Sequence, residues 1–176
     1  MNLPAGSSLQ GGTVSSNLAI DGPLDHLVIT GPLNVANTRL QGFSMASGIA
    51  NAMNGSHDGR DTVIQTLSSN LRVAPEGIQA SNVQLILPQV GTITGNGTIS
   101  PSNTLDFHML AKTNDGSGFM GGWFRSKGQI PFLIQGTTSN PVFAPDMGKS
   151  LGNMITNPAK GVGGLFGGLF GKKKQN

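Results

Sequence analysis

Five consecutive runs decide how this chain folds: Val83-Gln-Leu-Ile-Leu-Pro-Gln-Val90, Gly91-Thr-Ile-Thr-Gly-Asn-Gly-Thr-Ile-Ser100, Leu105-Asp-Phe-His-Met-Leu-Ala-Lys112, Ile130-Pro-Phe-Leu-Ile-Gln-Gly136 and Asn140-Pro-Val-Phe-Ala-Pro-Asp146. Apolar residues recur at every second position. A strand with one dry face needs that spacing, because successive side chains point to opposite sides of a sheet. Ile93 and Ile99 share one parity; Leu105, Phe107, Met109 and Ala111 share another; so do Ile130, Phe132 and Ile134. Thr92, Thr94, Asn96, Thr98 and Ser100 take the opposite face of their strand. The pattern predicts an antiparallel meander with one apolar side. Gly95-Asn-Gly97 has two readings, a tight Asn-Gly hairpin turn or glycines inside one long strand; the matched parity of Ile93 and Ile99 favours the long strand.

Working outward from these runs, residues 1–16 are rich in Gly, Ser, Thr and Asn and read as a flexible lead-in. A short strand beginning at Asn17 ends at the Asp21-Gly-Pro23 punctuation, and 27–41 continues as strand with a bend at Gly31-Pro32. At Phe43 the period changes. Phe43, Ala46, Ala50 and Met53 fall at helical spacing beside Ile49, Asn54-Gly55 supplies a stop, and Ser44 supplies a cap. This predicts a short amphipathic helix that shields one end of the sheet. A loop at 57–61 precedes a strand over 62–73, a turn at Pro75-Glu-Gly77 and a further strand or pair of strands over 78–90. Residues 113–127 read as a long loop holding the only tryptophan, and 145–155 as a second short helix. The expected body is 17–156, mainly β: a twisted, curved antiparallel sheet, an open groove or half-barrel, with one or two short helices. Residues 157–176 form a Gly/Phe/Lys-rich tail.

Composition narrows the chemistry. Only 11% of the 176 residues are charged, against about 25% in an average domain, so Ser, Thr, Asn and Gln carry the polar surface. There is no cysteine, hence neither a disulfide framework nor a thiolate metal site. Residues 1–148 hold six Lys/Arg and all eight acidic residues, net −2, whereas 149–176 hold five Lys and no acid. The body therefore offers no polyanion surface, and nucleic acid is not expected as a partner. His26, His57 and His108 are scattered without the convergence a metal site needs. There is no Gly-x-Ser-x-Gly elbow, and Gly91-x-x-x-Gly95-x-Gly97 lacks the lysine and the following helix of a phosphate loop. Neither an enzyme nor a cofactor is expected.

The ordered motifs resemble those of AsmA-like bacterial envelope proteins, over about 17–174. Asp21-Gly-Pro-Leu-Asp-His-Leu-Val-Ile-Thr-Gly-Pro-Leu-Asn-Val-Ala-Asn-Thr-Arg-Leu-Gln-Gly-Phe-Ser44 is similar to the family's "G-P-L" strand leading to an "L-x-G-F" step and a helix. Pro88 to Ser100 followed by Leu105-Asp-Phe107 resembles its "G-x-G-x-I…L-D" pair of strands. Ile130-Pro-Phe-Leu-Ile-Gln-Gly-Thr137, with Pro141-Val-Phe143 and Pro145-Asp146, is similar to its terminal signature, and Gly-Gly-Leu-Phe-Gly-Lys-Lys-Lys174 to its tails. The resemblance implies the C-terminal domain of a periplasmic protein held to the inner membrane by an N-terminal span. Met1-Asn-Leu-Pro-Ala-Gly-Ser-Ser8 is not a targeting segment, which leaves either a cytosolic protein or the C-terminal piece of something longer, and the resemblance implies the second. Such proteins serve outer-membrane biogenesis, and their β-groove is thought to carry phospholipid.

On that reading the groove candidates are Ile93, Ile99, Leu105, Phe107, Met109, Ile130, Phe132 and Ile134. Half-sheltering a tail of about 16 carbons contributes roughly 6 kcal/mol at ~0.8 kcal/mol per CH₂, with no charged pocket required. The alternative is that the same face packs on its own helices as a core. Membrane-contact candidates are Trp123 and the tail residues Leu165, Phe166, Leu169 and Phe170, which share one helical face ahead of Lys172, Lys173 and Lys174. Six glycines between 161 and 171 oppose a helix there, leaving a disordered tail as the other reading. A different class of function is a structural module that docks an envelope partner or a membrane surface through a sheet edge or the tail. Glycan binding is disfavoured, because the chain has no tyrosine and a single tryptophan to stack on sugars.

Overall fold

The computed structural model describes residues 3–52, 59–113 and 129–146. Among these residues ten strands form one antiparallel sheet: β1 (Ser8–Gln10), β2 (Thr13–Ser16), β3 (Ala19–Asp21), β4 (Val28–Gln41), β5 (Thr62–Ala74), β6 (Gly77–Leu87), β7 (Gly91–Ile99), β8 (Leu105–Thr113), β9 (Gln129–Thr137) and β10 (Asn140–Pro145). From β4 to β10 each strand pairs with the next in sequence. β1, β2 and β3 lie in turn along the free side of β4, all in one register, as three pieces of a single interrupted edge. β1 and β10 do not pair, so the sheet is not closed. The mainly β, open antiparallel architecture is the one the alternation predicts.

One segment departs from expectation, and a second settles between its two readings. The lead-in is not loose throughout, since Ser8–Gln10 and Thr13–Ser16 are strands. All seven of their residues are exposed, so they carry none of the dry-face patterning by which a strand is recognised. What orders them is the backbone of β4, whose groups on that side would otherwise go unpaired. Residues 78–90 form one strand followed by a Pro88-Gln-Val90 turn, in which the Val90 N–H donates to the Leu87 carbonyl at 3.0 Å. Gly95 and Gly97 sit inside β7 as the parity requires.

The predicted helix forms as α1 (Met45–Ala52). Ser44 caps it, its Oγ accepting from the Ser47 N–H at 3.1 Å, and Ala46, Ile49 and Ala50 are its buried face. The second helix expected over 145–155 falls outside the described residues, apart from Pro145 at the end of β10 and Asp146.

The position of α1 shows that the sheet is rolled. Six inter-strand steps separate β4 from β10, which on a flat sheet is roughly 29 Å at ~4.8 Å per step. Yet Phe43, two residues past the end of β4, has its ring centroid 6.2 Å from that of Phe143 in β10. The Ala5 N–H, just before β1, donates to the Ser139 carbonyl in the β9–β10 turn at 2.9 Å. Register shifts supply part of the bend: one against β5 opposite Ser68 to Asn70 and one against β7 between Ala80 and Val83, the extra residue lying in β6 both times. Asn82 beside the second has φ 52°, and the Ser69 hydroxyl donates to the Ser81 carbonyl across the kink at 3.1 Å.

Candidate functional site

Cross-strand register sorts the inner face, the one α1 covers, into rows. One row runs Val14, Val35, Leu67, Leu85, Ile93, Ala111, Ile130, exposed at Val14 and buried from Leu85 to Ile130. One step along the strands lie Val83, Gly95, Met109, Phe132 and Pro145. The next row is Leu71, Ala80, Gly97, Phe107, Ile134, Phe143. The last is Ile20, Ile29, Val73, Ile78, Ile99, Leu105. Every residue of that last row is aliphatic.

Burial grades along the strands. Leu85, Ile93, Met109, Ala111, Ile130 and Phe132 are buried, and together with Ala46 and Ile49 of α1, Val83, Leu87 and Val90 they make one core. Phe132, Ile49, Leu87 and Ile93 are fully enclosed, each side chain contributing about 1.5–3 kcal/mol. Phe107, Ile134 and Phe143 border that core, half-buried. In the last row Ile29, Val73, Ile78, Ile99 and Leu105 are likewise half-buried, and only Ile20, 64% exposed, stands fully in solvent.

The eight groove candidates thus divide. Ile93, Met109, Ile130 and Phe132 are sealed by the chain's own side chains and serve as core. Ile99, Leu105, Phe107 and Ile134 stay accessible in part. The open surface also takes in Ile29, Val73 and Ile78 on strands nearer the N-terminus. The signal for them was present as alternation in 27–36 and 71–80, but only the register shows that they line up with Ile99 and Leu105. Trp123, Leu165, Phe166, Leu169, Phe170, Lys172, Lys173 and Lys174 lie outside the described residues.

Glycines shape this face. A Cβ on Gly97 would stand 2.3 Å from Phe107 Cγ, and one on Gly95 would stand 2.6 Å from Met109 Sδ. The two bare positions on β7 let the large side chains of β8 lie flat across it, which is why an Asn flanked by glycines occurs here without a turn.

Where the open row meets the β5–β6 and β7–β8 turns there is a shallow recess of about 200 Å³, lined by residues including Ile78, Ile99, Pro101 and Asn103. Enclosed small-molecule sites run to about 300–1,000 Å³, so any hydrocarbon ligand here would lie along a surface rather than inside a pocket. The opposite face is polar over β7, where Thr94, Asn96 and Thr98 are exposed. Two His–Asp pairs are exposed, His26 Nδ1 3.0 Å from Asp25 Oδ2 and His108 Nε2 3.7 Å from Asp106 Oδ1, whereas Asp146 past the end of β10 is buried. Among the described residues no group of three or more His, Asp or Glu converges as a metal site would require. None of the helices among them is long and apolar enough to cross a membrane.

Together these features define a rolled, open antiparallel sheet, plugged at one end by a short helix and apolar at the other. No family model, curated protein or solved structure matches the chain.

Proposed function

We propose that this chain is a non-catalytic module that binds phospholipid acyl chains along the open end of its inner face. The observation carrying this reading is the Ile20–Ile29–Val73–Ile78–Ile99–Leu105 row, six aliphatic side chains in line across the sheet and none of them sealed. An acyl chain laid along it exchanges water for hydrocarbon at ~0.8 kcal/mol per CH₂. No charged group is needed, and none stands in the row. The resemblance of the sequence motifs to AsmA-like proteins supports putting such a module at the end of a periplasmic, inner-membrane-anchored protein that passes lipid during outer-membrane biogenesis.

The test is native mass spectrometry of protein purified without detergent, before and after incubation with phospholipid vesicles. Bound phospholipid is the expected result. Ile99→Arg, on the accessible row, should fold with an unchanged circular dichroism spectrum and take up no lipid. Wild-type protein that stays lipid-free, or an Ile99→Arg variant that loads as well as wild type, would overturn the reading.

A second reading, docking of an envelope partner, is favoured by where exposed apolar side chains gather. Among the described residues Leu3, Leu9, Val14, Leu18, Ile20 and Leu24 account for six of the eight large hydrophobics that are strongly exposed. All lie on or beside the interrupted edge formed by β1, β2 and β3.

A further inference from the structure

We propose that α1 is a displaceable lid, occupying a stretch of the inner face that an acyl chain takes over when it binds. The proposal rests on the acyl-chain reading of that face and adds a regulated second half to the site. Three observations carry it.

First, the surface under α1 and the open surface are one continuous face. The sealed row Leu85–Ile93–Ala111–Ile130 passes to Met109 and Phe132, then to Phe107 and Ile134, then to Ile78, Ile99 and Leu105. On β7 to β9 each step is two residues along a strand, about 7 Å, with no charged or hydrogen-bonding side chain on this face between them, while β6 takes three residues between Val83 and Ala80 at its bulge. A chain lying on the accessible half meets α1 as the obstacle to going further.

Second, α1 has no stability of its own. It has eight residues, none of them charged, and it buries two alanines and one isoleucine. An isolated helix of this length does not persist in water, so its order depends on the sheet beneath it.

Third, among the described residues its polar ties gather at one end. Thr62 Oγ1 donates to the Phe43 carbonyl at 2.7 Å and accepts from the Met45 N–H at 2.9 Å. Asp61 Oδ1 accepts from the Gly42 N–H at 3.0 Å, and the Ser47 hydroxyl donates to the Gly59 carbonyl at 3.0 Å. Ile49 and Ala50 beyond them are held by apolar contact. That arrangement lets the helix peel from its far end while its start stays pinned.

The test uses the full chain with cis-parinaric acid, a fluorescent fatty acid, as the probe, and reads amide hydrogen exchange by mass spectrometry. With the probe saturating, the amides over 47–52 should exchange about tenfold faster or more, because local opening sets their rate, while those of β7 and β8 slow. Ile49→Ala loosens the lid and should tighten probe binding by about tenfold, since apparent affinity follows the fraction of open protein. Probe that binds and leaves α1 exchange unchanged or slower removes the lid alone. No probe binding to wild type or variant removes the acyl-chain reading beneath it. Should Ile49→Ala fail to fold, the wild-type exchange result decides.

Discussion

At the scale of single residues, the glycines of β7 and one ion pair give opposite lessons about what a small change does. Gly97 needs no unusual backbone; its role is the space it leaves for Phe107. A methyl there meets the Phe107 ring at 2.3 and 2.5 Å and the Asp106 carbonyl oxygen at 2.5 Å, and the carbonyl cannot swing aside. Gly97→Ala should therefore destabilise by about 1–3 kcal/mol, the cost of overpacking, read as a lower urea midpoint. An unchanged midpoint would mean that Phe107 has somewhere else to go. By contrast, Arg72 and Glu76, four residues apart across the β5–β6 turn, are paired in solvent. The Arg72 guanidinium, by hydrogen bond first, holds the Glu76 carboxyl below its ordinary value. A carboxylate depressed in the native state stabilises it above the unfolded-state pKa, and that contribution is lost as pH falls through the folded value. Acid titration of Glu76→Gln should accordingly show a slightly shallower loss of stability below the ordinary glutamate range than wild type. The difference should be small and fade with added salt, because exposed pairs are screened.

At the scale of elements, the helix and its anchor show which parts of the fold were legible in the sequence. The period change at Phe43, the Ser44 cap and the strands from Thr62 onward follow from local patterning, and they form. Thr62 is different. It is fully buried at the start of a strand, and nothing near it in sequence marks it out, because its partners Phe43 and Met45 arrive from the other side of the helix. Thr62→Val keeps the shape and removes the hydroxyl, leaving the Phe43 carbonyl and the Met45 N–H without that partner. The expected cost is about 1–3 kcal/mol per orphaned group, with Thr62→Ser restoring most of it; equal stability of Thr62→Val and wild type would show that water replaces the hydroxyl. The edge segments escaped notice for a related reason, since strands exposed on both faces have no periodicity to read. The division of the groove candidates was equally hidden. Phe132 and Ile134 are two residues apart with the same parity, yet one is sealed and the other half-open, and α1, on a distant part of the chain, makes the difference. β4 conceals one more feature: Leu33 and Val35 share the inner face, but the buried positions beyond them are Thr38 and Leu40. Asn37, at φ 54°, turns the alternation over between them.

For the sheet as a whole, what matters is that it leaves two unlike edges. β10 is protected in the usual ways: prolines at 141 and 145 remove backbone donors, and Phe143 is engaged by Phe43 and Phe132. The other edge has neither device. From Ser8 to Asp21 there is no proline and no charge before Asp21 itself, and Val14 and Ile20 extend two apolar rows to its margin. Only the interruptions at Gly11-Gly12 and Asn17-Leu18 blunt it. An uncharged edge with apolar side chains in register is a template for another strand, and lysine is the residue natural sheets place there to prevent pairing. Sedimentation velocity across a wide concentration range should thus show wild-type protein self-associating, with Ile20→Lys shifting that onset to markedly higher concentration. Val142→Lys on the opposite edge, where Val142 is also exposed, should leave it unchanged. Equal effects from the two lysines would trace the association to net charge, and a wild type that stays monomeric throughout would show that the breaks in β1 to β3 already suffice.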